Sequence, residues 1–205
     1  MRRWFAGFLA FVGITAGCFS SCGMSSFTDE EIRAAAAELI EASIPINEIY
    51  FGKGLPAVAE DSDQAEAFSS EIRTDATLLS YLPVAEEAGY ASIDDIKAAT
   101  EEVYSQSYCT YLYEMAFFGI STDDAEASHA RYQETESGIL AVCKDLSVLD
   151  TRTYDTEENN IKVQKKSGNT AVVEVQSYIE GEADVKVSVQ MLYEDGAWRL
   201  DSPTY

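Results

Sequence analysis

The second half of this chain alternates apolar runs with turns too short to hold a helix, which leaves few ways to fold it. "ARYQETE" and "ILAVCKD" flank Ser137-Gly138, and "NIKVQKK" and "TAVVEVQSYIE" flank Ser167-Gly168-Asn169. "DVKVSVQMLYE" then runs through Asp195-Gly196 into "AWRLDSPTY". Glycine-containing connections of two or three residues force neighbouring strands antiparallel. In "DVKVSVQMLYE", Val185, Val187, Val189 and Met191 fall on one face and Lys186, Ser188 and Gln190 on the other, the two-residue period of a half-buried strand. About six sequential antiparallel strands are predicted after Arg131.

Helices come before them. Thr28 and Glu31 form a capping box, with Asp29 and Glu30 placed for the positive end of the helix dipole. Ile32, Ala36, Leu39 and Ile40 recur at helical spacing, and Pro45 is expected to end the run. Ile46, Ile49, Tyr50 and Leu55 suit a short amphipathic turn before "GKG", which lacks the glycine, lysine and hydroxyl spacing of a phosphate loop. Asp61 to Arg73 reads as a helix or a surface excursion, and Leu78 to Val84 as a short extended segment. Ser92 with Asp95 caps a further helix. From Tyr108 to Gly119 an aromatic stripe of Tyr108, Tyr111, Leu112, Met115 and Phe118 repeats every three or four residues, and such a stripe predicts a core-facing helix. Helices first and a meander second make an α+β chain with helices on one sheet face.

The amino terminus has the parts of an export signal: Arg2 and Arg3, then an uncharged apolar run from Trp4 to Gly17. As a helix those 14 residues would span about 21 Å, short of a hydrocarbon core of about 30 Å. "RRWF" faintly resembles the start of a twin-arginine signal, but two arginines before an apolar run are usually just the basic end of an ordinary export signal. Ile14-Thr15-Ala16-Gly17-Cys18 resembles a bacterial lipobox, in which small or apolar residues precede a cysteine that receives a diacylglycerol. Thr15 departs from the leucine usual there. Cys22, behind Phe19-Ser20-Ser21, is the alternative acceptor. The resemblance implies a signal peptide over 1–17, a lipidated tether over 18–27 and a mature protein on the outer face of a bacterial cell membrane. Two acyl chains such as palmitate hold a protein stably where one is marginal. Two cysteines without a second pair or nearby histidines fall short of a zinc site.

Removing the first 17 of 205 residues leaves 188, enough for a single α+β domain over 28–205, divided into a helical part (28–90) and helices plus meander (91–205). The chain carries 36 acidic against 14 basic residues, a net charge of −22. Losing Arg2 and Arg3 takes the mature chain to −24. That field opposes nucleic-acid phosphate and anionic lipid, so no nucleic-acid role is expected and the lipid is the expected membrane contact. It favours solubility, or a cationic partner. Cys109 and Cys143 read either as an extracytoplasmic disulfide or as two buried thiols.

The ending "YEDGAWRLDSPTY" is similar to the last hairpin of the nuclear-transport-factor-2-like (cystatin-like cone) superfamily, whose final strand often reads Gly-x-Trp-x-Leu; Gly196, Trp198 and Leu200 match. The resemblance implies a curved antiparallel sheet wrapped around the helices from about Ile93 onward. Its members include isomerases, dehydratases, polyketide cyclases and non-catalytic binding modules. Tyr104, Tyr108, Trp198 and Tyr178 are the candidate pocket residues, with Trp198 and Tyr178 read in the first place as sheet-face packing.

No catalytic constellation stands out. His129 is alone in "DDAEASHAR", and the cysteines sit in apolar runs that raise a thiol pKa. Asp94-Asp95, Asp123-Asp124 and Glu157-Glu158 lack the spacing of a calcium loop and read as caps and solvated turns. No metal or cofactor is expected. The expectation is a non-enzymatic lipoprotein that binds an envelope protein or a small apolar ligand. The alternatives are an inhibitor of cell-wall hydrolases, or a cavity enzyme using Asp201 or Tyr205.

Overall fold

A computed structural model of the chain describes residues 27–71, 80–118, 130–143, 149 and 152–205. The export signal, Cys18, Cys22, Asp123-Asp124 and His129 lie outside the described residues.

The first helix, α1 (Asp29–Tyr50), opens on the Thr28–Glu31 capping box. The Thr28 hydroxyl accepts from the Glu31 amide, and the Glu31 carboxylate accepts from the Thr28 amide at 2.7 Å. Pro45 does not end the helix but lies within it. Its missing N–H leaves without a donor the carbonyl of Glu41, on the exposed side, where water can serve. Beyond it Ile46, Ile49 and Tyr50 are buried. Each apolar side chain of that size contributes about 1.5–3 kcal/mol, which together outweighs the roughly 3 kcal/mol cost of an interior proline.

α2 (Asp63–Glu71) is a helix, settling the choice left by its sequence. β1 (Tyr81–Pro83) is extended as expected. Next come α3 (Ile93–Glu101), with the Ser92–Asp95 box in place, and α4 (Gln106–Tyr113), capped by Ser105. The aromatic stripe behaves differently from expectation. α4 widens into a π-helical turn at Glu114–Phe118, and the buried positions are Cys109, Leu112 and Ala116. Tyr111 is 48% exposed and Phe118 79%. The wider turn rotates the apolar face away from Phe118.

The strands form two antiparallel sheets. β2 (Tyr132–Glu134) and β3 (Leu140–Cys143) make the predicted hairpin, and β1 pairs the other edge of β3 in the order β1-β3-β2. Strand pairing therefore crosses residue 90. In the larger sheet β4 (Arg152–Tyr154), β5 (Lys162–Ser167), β6 (Thr170–Ile179), β7 (Glu182–Glu194) and β8 (Ala197–Leu200) pair antiparallel. β4 and β5 share one edge of β6, β5 along its first half and β4 at its end. β6 shifts register against β7 between Gln176 and Tyr178, the kind of irregularity that bends and twists a sheet. The result is an α+β architecture with helices on a curled antiparallel sheet.

The β7–β8 turn is built for its residues: Asp195 and Gly196 take φ of 49° and 85°, the left-handed pair of a tight hairpin. On β7 the expected alternation holds at the sheet centre, with Val189 and Met191 buried, and fades outward to Val185, 56% exposed. The main core packs Ile32, Ala36, Ile40, Ile46 and Ile49 of α1 with Val173, Val175, Val189, Met191 and Leu200 of the larger sheet. A second cluster joins Phe68 of α2 to Tyr81, Ala141 and Cys143 of the smaller sheet.

Candidate functional site

A wide concave feature lies over the smaller sheet. It is a groove of about 710 Å³ between α2, α3 and the β2–β3 turn, inside the range of about 300–1,000 Å³ typical of small-molecule sites. α2 contributes Gln64, Ala67 and Phe68, which share a helix face. Pro83 and Val84 follow from the end of β1, and Ile139 and Leu140 from the β2–β3 turn. α3 contributes Asp95 and Ala98, one turn apart.

Backbone hydrogen bonds fix the floor. The Val84 amide donates to the Leu140 carbonyl at 2.9 Å, the Ala85 amide to Pro56 at 2.8 Å and the Val58 amide to Pro83 at 3.0 Å. After the single 3₁₀ turn Glu86–Ala88, Gly89 takes φ 76°, a left-handed position that brings Tyr90 to the groove wall. Burial pushes the Tyr90 phenol upward, so it stays neutral and able to donate.

The polar rim is acidic. Asp95 Oδ2 accepts from the Ala91 amide at 2.9 Å and the Ser92 amide at 3.0 Å. These bonds, with the one to the Ser92 side chain, hold its carboxyl below the usual range. Beside it, Glu134 Oε1 accepts from the Ile93 amide at 2.7 Å. Glu86 is exposed at the lip. The described lining contains no Lys, Arg or His.

The four pocket residues expected from sequence are not assembled at this groove or at any other one place. Tyr104 is fully inside the core: its hydroxyl donates to Asn47 Oδ1 at 2.7 Å and lies 2.8 Å from Thr204 Oγ1. Burial pushes its phenol well above the normal range. Tyr108 packs 5.1 Å from the Tyr104 ring and donates to the Tyr205 hydroxyl at 3.3 Å. Trp198, 8% exposed, packs against Phe27 at 4.8 Å and Tyr193 at 5.4 Å. Tyr178 sits near the end of β6, opposite Thr153 of β4. Side chains fill the space under the larger sheet. The cavity beside Asn47 and Thr204 holds only about 10 Å³, barely one water.

Asp201 and Tyr205 do not form an acid–base pair either. Asp201 accepts from the hydroxyls of Ser105 and Ser107, the latter at 2.8 Å, which ties the start of α4 to the chain after β8. Tyr205 stacks on Phe51 with ring centroids 3.6 Å apart. Cys109 and Cys143 are free and buried, and belong to different clusters. Burial pushes the Cys109 thiol up to about 11. Of the acidic pairs, Asp94-Asp95 caps α3 and Glu157-Glu158 lies exposed at a single 3₁₀ turn. Among the described residues no group of three or more His, Cys, Asp or Glu is placed to hold a metal ion. No described helix is long and apolar enough to cross a membrane.

Compared with known proteins, the chain matches no family model and no curated protein. Sequence reasoning missed the groove because its walls come from four separated stretches. The one local signal was the "LLSYLPV" segment, which supplies Pro83 and Val84.

Proposed function

We propose that this chain is a lipid-anchored protein of the outer face of a bacterial membrane that holds a small apolar ligand in the groove between α2 and α3 without transforming it. The groove carries the ligand half of this reading. Its walls are Ala67, Phe68, Val84, Ile139 and Leu140, and its best-held polar group, Asp95, is already committed to backbone amides. An apolar wall with few polar groups is the usual composition of a ligand site. The Ile14–Cys18 lipobox supports the anchor, with Cys18 as acceptor and Cys22 as the alternative. Helices ahead of an antiparallel meander, closing on Gly196, Trp198 and Leu200, support a nuclear-transport-factor-2-like module over 91–205 within a single domain of 28–205. The groove favours a small ligand over an envelope-protein partner, because it is bounded on several sides rather than flat.

Native mass spectrometry of the protein released from membranes tests both halves. The expected result is a chain beginning at Cys18 with added acyl mass and a co-purifying small molecule that Ala98→Trp eliminates. A ligand-free wild type, or a stoichiometric protein partner retained by Ala98→Trp, counts against the groove. An unmodified amino terminus counts against the anchor.

A further inference from the structure

We infer that the groove discriminates by headgroup charge, accepting a single-chain amphiphile with a cationic ammonium head and rejecting one that ends in a carboxylate. This rests on the groove being the ligand site and adds which chemistry it admits.

The argument turns on the first turn of α3. A helix N-terminus ordinarily attracts anions, because its leading amides are unpaired and its dipole is positive there. Here that end is already occupied by the protein's own carboxylates. Asp95 takes the Ala91 and Ser92 amides, and Glu134 takes the Ile93 amide. An incoming carboxylate therefore finds the Ser92, Ile93 and Asp95 amides, three of the four leading donors of α3, already taken. It finds the negative charge of Asp95 and of Glu86, both of which line the groove.

Nothing in the described lining offsets that charge, since Lys, Arg and His are all missing from it. Lys97, on the same helix, is turned elsewhere, pairing with Asp94 at 3.3 Å and lying 5.8 Å from the Tyr113 and Phe117 ring centroids. The deeper walls, Phe68, Val84, Ile139 and Leu140, suit a hydrocarbon chain. Two carboxylates several ångströms from a headgroup at surface-like dielectric are enough for at least a tenfold preference between opposite head charges. The net charge of −22 acts in the same direction at longer range.

The test uses the secreted chain with Cys18 and Cys22 both replaced by serine, so that no attached acyl chain competes for the groove. It is titrated calorimetrically with dodecylammonium, dodecyl maltoside and dodecanoate, each below its micelle concentration. Dodecylammonium is expected to saturate one site at least about ten times more tightly than dodecanoate, with the maltoside between them. Glu86→Gln and high salt each shrink that ratio several-fold. Ala98→Trp, or Ala67→Trp with unchanged circular dichroism, removes saturable binding of all three. Equal or tighter binding of dodecanoate overturns the charge rule while leaving the groove as the ligand site. Saturable binding that survives both tryptophan variants, or none of the three amphiphiles binding, overturns the groove itself.

Discussion

Asn47 Nδ2, on α1, donates to both the carbonyl and the hydroxyl of Thr204, at 3.1 and 2.9 Å, joining residues 157 positions apart. Thr204 Oγ1 also lies 2.8 Å from the Ser43 hydroxyl and 2.8 Å from that of Tyr104. Ser43, Tyr104 and Thr204 are almost fully buried and Asn47 nearly so. The end of the chain is thereby sewn into the C-terminal half of α1, through Ser43 and Asn47 on either side of Pro45.

Breaking that stitch leaves buried donors and acceptors unpaired, which costs more than the bonds themselves contribute. Asn47→Ala is expected to lower unfolding free energy by about 2–3 kcal/mol, and Thr204→Val by a similar amount. Because the two residues share a network, the double variant should cost clearly less than the sum. Urea unfolding followed by circular dichroism measures all three, and strict additivity would refute the coupling.

Arg131 secures the same helix from another side. Its Nε donates to the Ile49 carbonyl at 2.7 Å and its guanidinium also to that of Gly52. The Tyr132 hydroxyl donates to Ile49 O at 2.8 Å and accepts from the Leu55 amide at 2.9 Å. The last turn of α1 has no basic residue of its own, so Arg131 supplies the positive charge its carbonyls favour. Arg131→Met is expected to destabilise by about 2–3 kcal/mol and Arg131→Lys by less. Urea midpoints should fall in the order wild type, lysine, methionine; a methionine variant as stable as wild type would exclude the capping role.

Local chemistry made much of this architecture legible from sequence, and long-range pairing hid the rest. Thr28 with Glu31 and Ser92 with Asp95 state their helix starts within four residues. Asp195-Gly196 states a hairpin because few other residues tolerate that turn. Pro45 misled because a proline's local cost is visible in sequence, whereas the burial of Ile49 and Tyr50 that offsets it depends on distant partners. The pairing of Tyr81–Pro83 with Leu140–Cys143 crosses some sixty residues without a local signal. The groove rests on that pairing, so it was hidden too. Tyr104 and Trp198 looked like pocket residues for a related reason: an aromatic side chain that fills a concavity and one that lines it share the same spacing.

Alkaline pH should loosen the fold through the same burial. Desolvation raises the Cys109 thiol to about 11 and the Tyr154 phenol to about 12, against ordinary values near 8.5–9 and 10. Groups that hold their protons longer when folded favour the folded state below their ordinary pKa, and lose that contribution as pH rises through the folded value. Stability is expected to be level from about pH 7 to 8.5 and to fall between about 9 and 12. Unfolding in that window should coincide with the rise of the tyrosinate band. Below pH 9 neither Cys109 nor Cys143 should react with a thiol reagent until urea is added, and reduction should leave the mass of the mature domain unchanged. Rapid labelling of the native protein would contradict the buried, free state of both.

Tyr154 offers a prediction of the opposite sign. Its hydroxyl is buried and, among the described residues, has no hydrogen-bond partner, although its ring packs against the main core. The hydroxyl therefore bears a desolvation cost without a compensating bond. Tyr154→Phe keeps the ring and removes the oxygen, so it should be neutral or stabilising by up to about 1 kcal/mol. Tyr104→Phe removes a hydroxyl bonded to Asn47 and close to Thr204, and should destabilise by about 1–3 kcal/mol. The two substitutions delete the same atom from the same residue type. A difference in sign between their urea midpoints thus isolates what a satisfied hydroxyl is worth in this core, and a loss of stability in Tyr154→Phe would reveal a partner for that oxygen.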